Sequence, residues 1–396
     1  MAFCSQADPR QPIERAAAEC FLTAASTGTT ALPEAAVFRA PLPPIHPRIS
    51  GQHEERERNV KALVADHLNG LDGLRLGDVA TPALPAGEIL VRMRFAGINP
   101  ADWKTAEGYL KVIPHFRPHF PFVIGLEGAG TVATVGEGVT DFAPGDHVVL
   151  KSDVSQGRWG TFAECIAIEP RLAARLPRGL PLDAAASLPI AGLTAWHSLM
   201  LHGAMKPNET VFIHAGAGGV GSFAVQIAAR AGAKVLASCS PANAEYLRAR
   251  GAYKTFDYRD PDMATKIRAA GTCDVVVDAI NDGQHGLIGC LASGGRYVTI
   301  PTLDPRAVRP DARKLAAVGA TFVPGGLVRE RTREGLETLI ALYIDGLTLP
   351  ELQVLPTDDF VEALSDCRSG TRRGKAVVRL WGEDKLAIAS HGKALQ

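Results

Sequence analysis

The spacing of apolar residues along this chain changes character three times. Up to about residue 59 there is no sustained period. The stretch is rich in Ala, Pro, Ser and Thr and closes on the charged run "GQHEERERN", a composition that buries too little apolar surface to offset chain entropy. Residues 1–59 are therefore expected to form a disordered N-terminal extension, and one reading has the working protein begin near Val60. There the pattern turns to "VKALVADHL", a first strand. From 88 to 168 the short runs "EILVRMRFAGI", "GAGTVATVG", "DHVVL" and "TFAECIAI" are separated by Gly and Pro turns, which predicts an antiparallel barrel.

After about residue 182 the pattern shifts again. Apolar strands "VFIHAG", "KVLAS", "CDVVVDAI", "GGRYVTI" and "ATFVPG" alternate with helical stretches such as "GSFAVQIAARAG" and "ANAEYLRARG", which predicts βαβ units around a parallel sheet. A helical run over 331–344 is followed by a tail with one helix and one last strand, free to return to the first domain. The expected fold class is α/β: a β-barrel domain joined to a doubly wound parallel sheet.

Composition narrows the function classes. With 396 residues, 46% hydrophobic and 21% charged, the chain is long enough for two cores. Lys+Arg and Asp+Glu both number 42, so no global field draws nucleic acid or an anionic membrane. No apolar run reaches the ~18 residues of a spanning helix. The segment "AAAECFLTAA" lacks a basic lead-in, so a secretory signal is a poor reading, and a cytoplasmic location is expected. The seven cysteines are scattered singly and read as reduced, buried small side chains.

Candidate chemistry centres on "VFIHAGAGGVGSFAVQIAARAGAKVLAS". Gly216, Gly218 and Gly221 form G-x-G-x-x-G between an apolar strand and an amphipathic helix, the setting in which this motif binds a dinucleotide. Gly216 is expected to permit the tight turn, Gly218 to admit the pyrophosphate, and Gly221 to let helix pack on strand. Ala217, Gly219 and Val220 complete the cradle, with the helix N-terminus favouring the phosphates. The second strand runs into "ASCSPANAEYL" with no carboxylate at its end, which favours NADPH over NADH. Ser240 and Asn243 offer hydrogen bonds to a 2′-phosphate. Tyr258 and Arg259 follow on the next element, with Arg259 equally readable as a surface charge.

The motifs "GINPADWK", "FPFVIGLEGAGTVATVGEGVTDFAPGDHVV", "AASLPIAGLTAW", "HAGAGGVGS" and "SGTRRGKAVV" together resemble the medium-chain dehydrogenase/reductase superfamily, in its zinc-free quinone oxidoreductase and enoyl reductase branch. The resemblance implies a GroES-like catalytic domain over 60–190 completed by 352–382, a Rossmann NADPH-binding domain over 191–351, a tail over 383–396, and a cleft between the two domains. Zinc members have a Cys where Asn99 stands, a His where Leu126 stands and a Cys near Pro189; none of these is a good zinc ligand here. Glu127 alone holds no metal and is expected to pair with a basic residue or a backbone donor.

Without a Lewis acid, alcohol oxidation lacks its alkoxide stabiliser. Hydride addition to a quinone or an activated C=C needs only alignment and one or two donors to the oxygen that gains charge. The resemblance points to Tyr109 and Asn99 as those donors and places the Thr194 hydroxyl near the nicotinamide. Lys104 reads as a solvated lysine, and Asp102 and Trp103 as structural. His115 and His119 are spaced i, i+4, but Pro114, Pro118 and Pro121 break any helix that would align them; His197 and His202 read as core or surface residues.

The partner is expected to be a small-molecule acceptor, an enone, alkenal, enoyl thioester or quinone, with no nucleic acid or membrane, and with a homodimer among the family's habits. Two rival readings stay open: a catalytically silent dinucleotide-binding protein and a zinc alcohol dehydrogenase.

Overall fold

The computed structural model describes residues 59–113, 116–283, 286–302, 307–370 and 374–381. His115, the tail over 383–396 and, but for Asn59, the expected extension lie outside them.

Alternating burial sets the first half. In β1 (Asn59–Ala65) the apolar side chains turn inward, and it pairs antiparallel with β2 (Leu74–Ala80), which the sequence pattern did not reveal. β3 (Ile89–Gly97) leads through a short helix α1 (Pro100–Ala106) to β4 (Phe122–Val123), which joins the far edge of β1. β5 (Glu127–Val135), β6 (His147–Lys151), β7 (Cys165–Ile168) and β8 (Ala173–Arg175) complete the antiparallel set, with β3–β5 the longest pairing and β7 on the other side of β3. Leu63, Ile89, Met93, Ile124, Leu150 and Phe162 fill the space between the two sheets.

Helices α2 (Leu182–Ala185) and α3 (Pro189–Trp196) carry the chain into the second half, and α3 runs on as a π-helical turn over 197–202. There follow β9 (Thr210–Ile213), α4 (Gly219–Arg230), β10 (Lys234–Cys239), α5 (Ala244–Arg248), β11 (Lys254–Asp257), α6 (Met263–Ala270), β12 (Cys273–Asp278), β13 (Leu291–Thr299), α7 (Ala312–Ala317) and β14 (Thr321–Pro324). All six strands are parallel, in the order β11-β10-β9-β12-β13-β14. This is the doubly wound dinucleotide fold, and its switch point lies between β9 and β12. The central strands are buried on both faces, as a sheet covered by helices on each side requires.

The chain then crosses back. After α8 (Thr332–Ile344), β15 (Leu352–Leu355), α9 (Phe360–Ser369) and β16 (Lys375–Arg379) add two strands, where the sequence pattern showed one, to the seven-stranded sheet containing β3. The first half is thus a GroES-like barrel and the second a Rossmann sheet. One apolar core runs through both, since Ala129 and Val149 of the barrel pack in the same cluster as Val211, Ile213 and Phe223. Ionic contacts reinforce the junction: the Arg329 guanidinium reaches Asp153 and Glu169, and Arg333 reaches Asp141.

Cys165, Cys239, Cys273 and Cys290 are buried free thiols, and Cys367 is half-buried. Burial pushes Cys165 and Cys290 up to about 11 and Cys273 up to about 12, which leaves these thiols protonated and inert at neutral pH. Among the described residues no helix is long and apolar enough to cross a membrane.

Candidate active site

The glycine turn sits at the C-terminal end of β9, beside the switch point. A Cβ on Gly221 would run into Ala215 O and lie 2.7 Å from the Gly216 Cα, so only glycine lets α4 start this close to its strand. The left-handed residue of the turn is Ala215 (φ 59°), not Gly216 as the motif suggests. Gly216 is required for packing instead, since its Cβ would meet Leu247 and Ala237 at about 3 Å. On the outer side the turn is open at Gly219 and tight only against its own backbone at Gly218. A Cβ on Gly218 meets only Ala215 O at 3.3 Å, and one on Gly219 only the Ala191 Cβ at 4.0 Å.

Helix α4 has no side-chain cap. The N–H groups of its first turn therefore face this space, and the turn fits a pyrophosphate.

Ser240 follows β10 and Tyr258 follows β11. Those strands pair in parallel with Cys239 opposite Asp257, so the two residues stand side by side at the sheet edge. The Asn243 amide donates to Ser240 Oγ at 3.2 Å, and the Arg259 guanidinium lies 5.2 Å from the centre of the exposed Tyr258 ring. Thr194 lies on α3, whose Ala191 borders the glycine turn; its hydroxyl donates to Ile190 O at 2.6 Å, leaving lone pairs to accept.

The loop from β3 into α1 supplies the other wall. Asn99 caps α1 in a reciprocal box: its N–H donates to Asp102 Oδ2 at 2.7 Å while its side chain receives the N-terminal helix N–H. Burial pushes the Asp102 carboxyl up to about 8. Past α1, Tyr109 lies half-buried, its ring 5.8 Å from Trp103 in an edge-on contact. Lys104 was expected to be solvated. Instead it is half-buried and its ammonium donates to Thr302 O, just beyond β13, so this loop leans over the C-terminal end of the parallel sheet.

Asn99 itself requires a correction. Its Nδ2 donates to Glu127 Oε1 at 2.8 Å, its Oδ1 accepts from Lys375 Nζ at 2.5 Å, and the residue is 3% exposed. Oδ1 and one Nδ2 hydrogen are engaged, so Asn99 bridges a buried ion pair and keeps only its second Nδ2 hydrogen for an acceptor carbonyl. Glu127 also receives the Ile190 N–H on Oε2 at 2.6 Å. It has a basic residue and a backbone donor together, where one or the other was expected. With Leu126 and Pro189 apolar and Glu127 already neutralised by Lys375, the donor set does not fit zinc. Among the described residues no other group of His, Cys, Asp or Glu could hold a metal.

A second buried network went unnoticed in the sequence. At the end of β9, His214 Nδ1 lies 3.1 Å from Asp278 Oδ1 at the end of β12, and the Tyr297 hydroxyl donates to Asp278 Oδ2 at 2.7 Å. Burial works to raise the Asp278 carboxyl, but the bonds from His214, the Ile280 N–H, Tyr297 and the Asn281 N–H outweigh it and hold it below the usual range. The signal was present: a polar residue closes each of two otherwise apolar strands, "VFIH" and "VVVD".

The family described as "Alcohol dehydrogenase GroES-like domain" matches residues 85–178, and that described as "Zinc-binding dehydrogenase" matches residues 250–378. A chloroplast envelope quinone oxidoreductase homolog of Arabidopsis thaliana is 31% identical over 70% of this chain and 84% of that protein. The phthioceranic/hydroxyphthioceranic acid synthase of Mycobacterium bovis is 38% identical over 82% of this chain, but the chain spans only 16% of that protein's length. The solved CurK enoyl reductase superposes with a TM-score of 0.69 at 27% identity, over 81% of this chain and 99% of that one.

The chain belongs to the medium-chain dehydrogenase/reductase family, whose members bind a nicotinamide dinucleotide. More narrowly, a quinone oxidoreductase homolog and an enoyl reductase are among its relatives.

Proposed function

We propose that this chain is a reductase that uses NADPH to deliver hydride, without zinc, to a quinone or to a C=C conjugated to a carbonyl. The observation that carries the reading is the buried set of Lys375, Glu127 and Asn99, in which an ammonium already neutralises the carboxylate beside the positions where zinc members keep their ligands. A site with that cation in place has no use for a metal, and the reaction it suits is one that needs no Lewis acid. Two relatives support the class, one bearing the name quinone oxidoreductase and the other enoyl reductase.

Bound in the crevice, the dinucleotide would supply the hydride. The α4 N-terminus and the open side of Gly218 and Gly219 would hold its pyrophosphate. Ser240, whose oxygen accepts from Asn243, keeps its own proton to donate to a 2′-phosphate, and Tyr258 beside it would close the pocket with Arg259. The Thr194 oxygen would accept from the carboxamide. With the Asn99 amide held between Glu127 and Lys375, the Tyr109 hydroxyl would be the main donor to the acceptor oxygen as it gains charge.

The test is a screen of purified protein with NADPH and NADH against 9,10-phenanthrenequinone, a 2-alkenal and an enoyl thioester, alongside metal analysis. NADPH oxidation with at least one acceptor and no stoichiometric zinc is the expected result. Binding without turnover of any acceptor, or stoichiometric zinc, would replace this reading with one of its rivals.

A further inference from the structure

We infer that the side-chain amide oxygen of Asn281 accepts a hydrogen bond from a hydroxyl of the ribose on the nicotinamide side of the bound dinucleotide. The inference rests on the cofactor reading above and adds to the site a residue that the glycine motif does not contain.

Asn281 stands just beyond β12, three residues after Asp278, and is 5% exposed. Three of its four polar groups are engaged: the N–H donates to Asp278 Oδ1 at 3.1 Å, the carbonyl accepts from the Val308 N–H at 2.7 Å, and Nδ2 donates to Ile300 O at 2.6 Å. The side-chain oxygen is the exception, buried and without a partner. Leaving such an acceptor unpaired is costly because it is stripped of water with nothing in return, and the backbone adds to this, since Asn281 sits in the left-handed region at φ 59°. Asp278, itself held by His214 and Tyr297, fixes the turn by taking the Ile280 and Asn281 N–H groups together. The fold thus spends a rigid turn and a buried network to hold one unsatisfied oxygen in place.

Its position says what would satisfy it. A pyrophosphate at the start of α4 leaves the adenosine half over β10 and β11, so the other half must cross the switch point onto β12, the strand beside β9. The first donors that half brings past the pyrophosphate are ribose hydroxyls.

The experiment measures affinity and not turnover. NADPH, 2′-phospho-ADP-ribose and 2′,5′-ADP are titrated calorimetrically into wild type and Asn281→Gly, a change that keeps the left-handed backbone free of strain and deletes the amide. Loss of one such bond should weaken NADPH and 2′-phospho-ADP-ribose about 10-fold and leave 2′,5′-ADP unchanged. With wild-type protein, independently of how the variant folds, 2′-phospho-ADP-ribose deoxygenated on its terminal ribose should bind about 10-fold more weakly than the parent.

Unchanged affinities, equal weakening of all three ligands, loss confined to NADPH, or an unaffected deoxy analogue would each overturn the assignment. Wild type that binds none of the three would instead overturn the cofactor reading beneath it.

Discussion

The Lys375 ammonium lies 2.5 Å from Glu127 Oε1, with Lys375 7% exposed and Glu127 fully buried. The two residues come from opposite ends of the barrel sequence and meet because β16 and β5 flank β3 in one sheet. Gly97 makes room for them, since a Cβ there would collide with the Glu127 carboxylate. Such a pair adds little over an apolar substitute, but losing one member leaves a charge stranded out of water.

Lys375→Met is therefore expected to cost about 3–5 kcal/mol of stability, read as a lowered denaturation midpoint. Adding Glu127→Gln should recover much of that loss, because no uncompensated carboxylate remains. A single variant that unfolds with the wild type would show that the pair is not what holds β16 to the site.

The glycine turn makes a sharper claim about one position than about its neighbours. Gly221→Ala forces α4 away from Ala215 and Gly216, whereas Gly219→Ala points a methyl into open space. The first should cost about 1–3 kcal/mol and abolish measurable NADPH binding. The second should leave stability unchanged and affect only affinity. Thermal melts and fluorescence titration of the two variants, run side by side, check both halves.

On the proposed reading, cofactor choice turns on the adjoining ends of β10 and β11. Ser240→Asp places a carboxylate where the 2′-phosphate would rest, and should weaken NADPH by about 10- to 100-fold while sparing or improving NADH. Tyr258→Ala should weaken NADPH alone. If both coenzymes respond equally to both changes, the phosphate pocket is elsewhere.

Acid should loosen the protein through His197. Burial, with His202, Arg331 and Lys151 nearby, pushes its imidazole down to about 4, while Nδ1 accepts the Val328 N–H at 3.1 Å. Unfolded, the same ring titrates near about 6.5. Between those values the unfolded chain binds the extra proton, so His197 favours the fold fully above about pH 6.5 and loses that contribution as pH falls toward about 4. The loss is on the order of 3 kcal/mol. Urea unfolding at a series of pH values should show His197→Gln with a flatter decline over that window than the wild type.

What the sequence determined by itself was local. A run such as "VFIHAGAGGVGS" specifies strand, turn and helix within a dozen residues, because side-chain period and glycine sterics act between near neighbours. The barrel-then-Rossmann order followed from the same periods, and the resemblance that sets Asn99, Leu126 and Pro189 where zinc members keep their ligands was carried by short motifs alone. The tertiary structure decided everything that depends on distant segments meeting. No local rule tells Asn99 that Lys375, 276 positions away, will claim its amide, or tells Asn281 that Asp278 and Ile300 will leave its oxygen alone in the dark. Whether a polar side chain is a donor waiting for a ligand or part of the scaffold is set by which other polar groups share its burial, and that is a property of the packed chain.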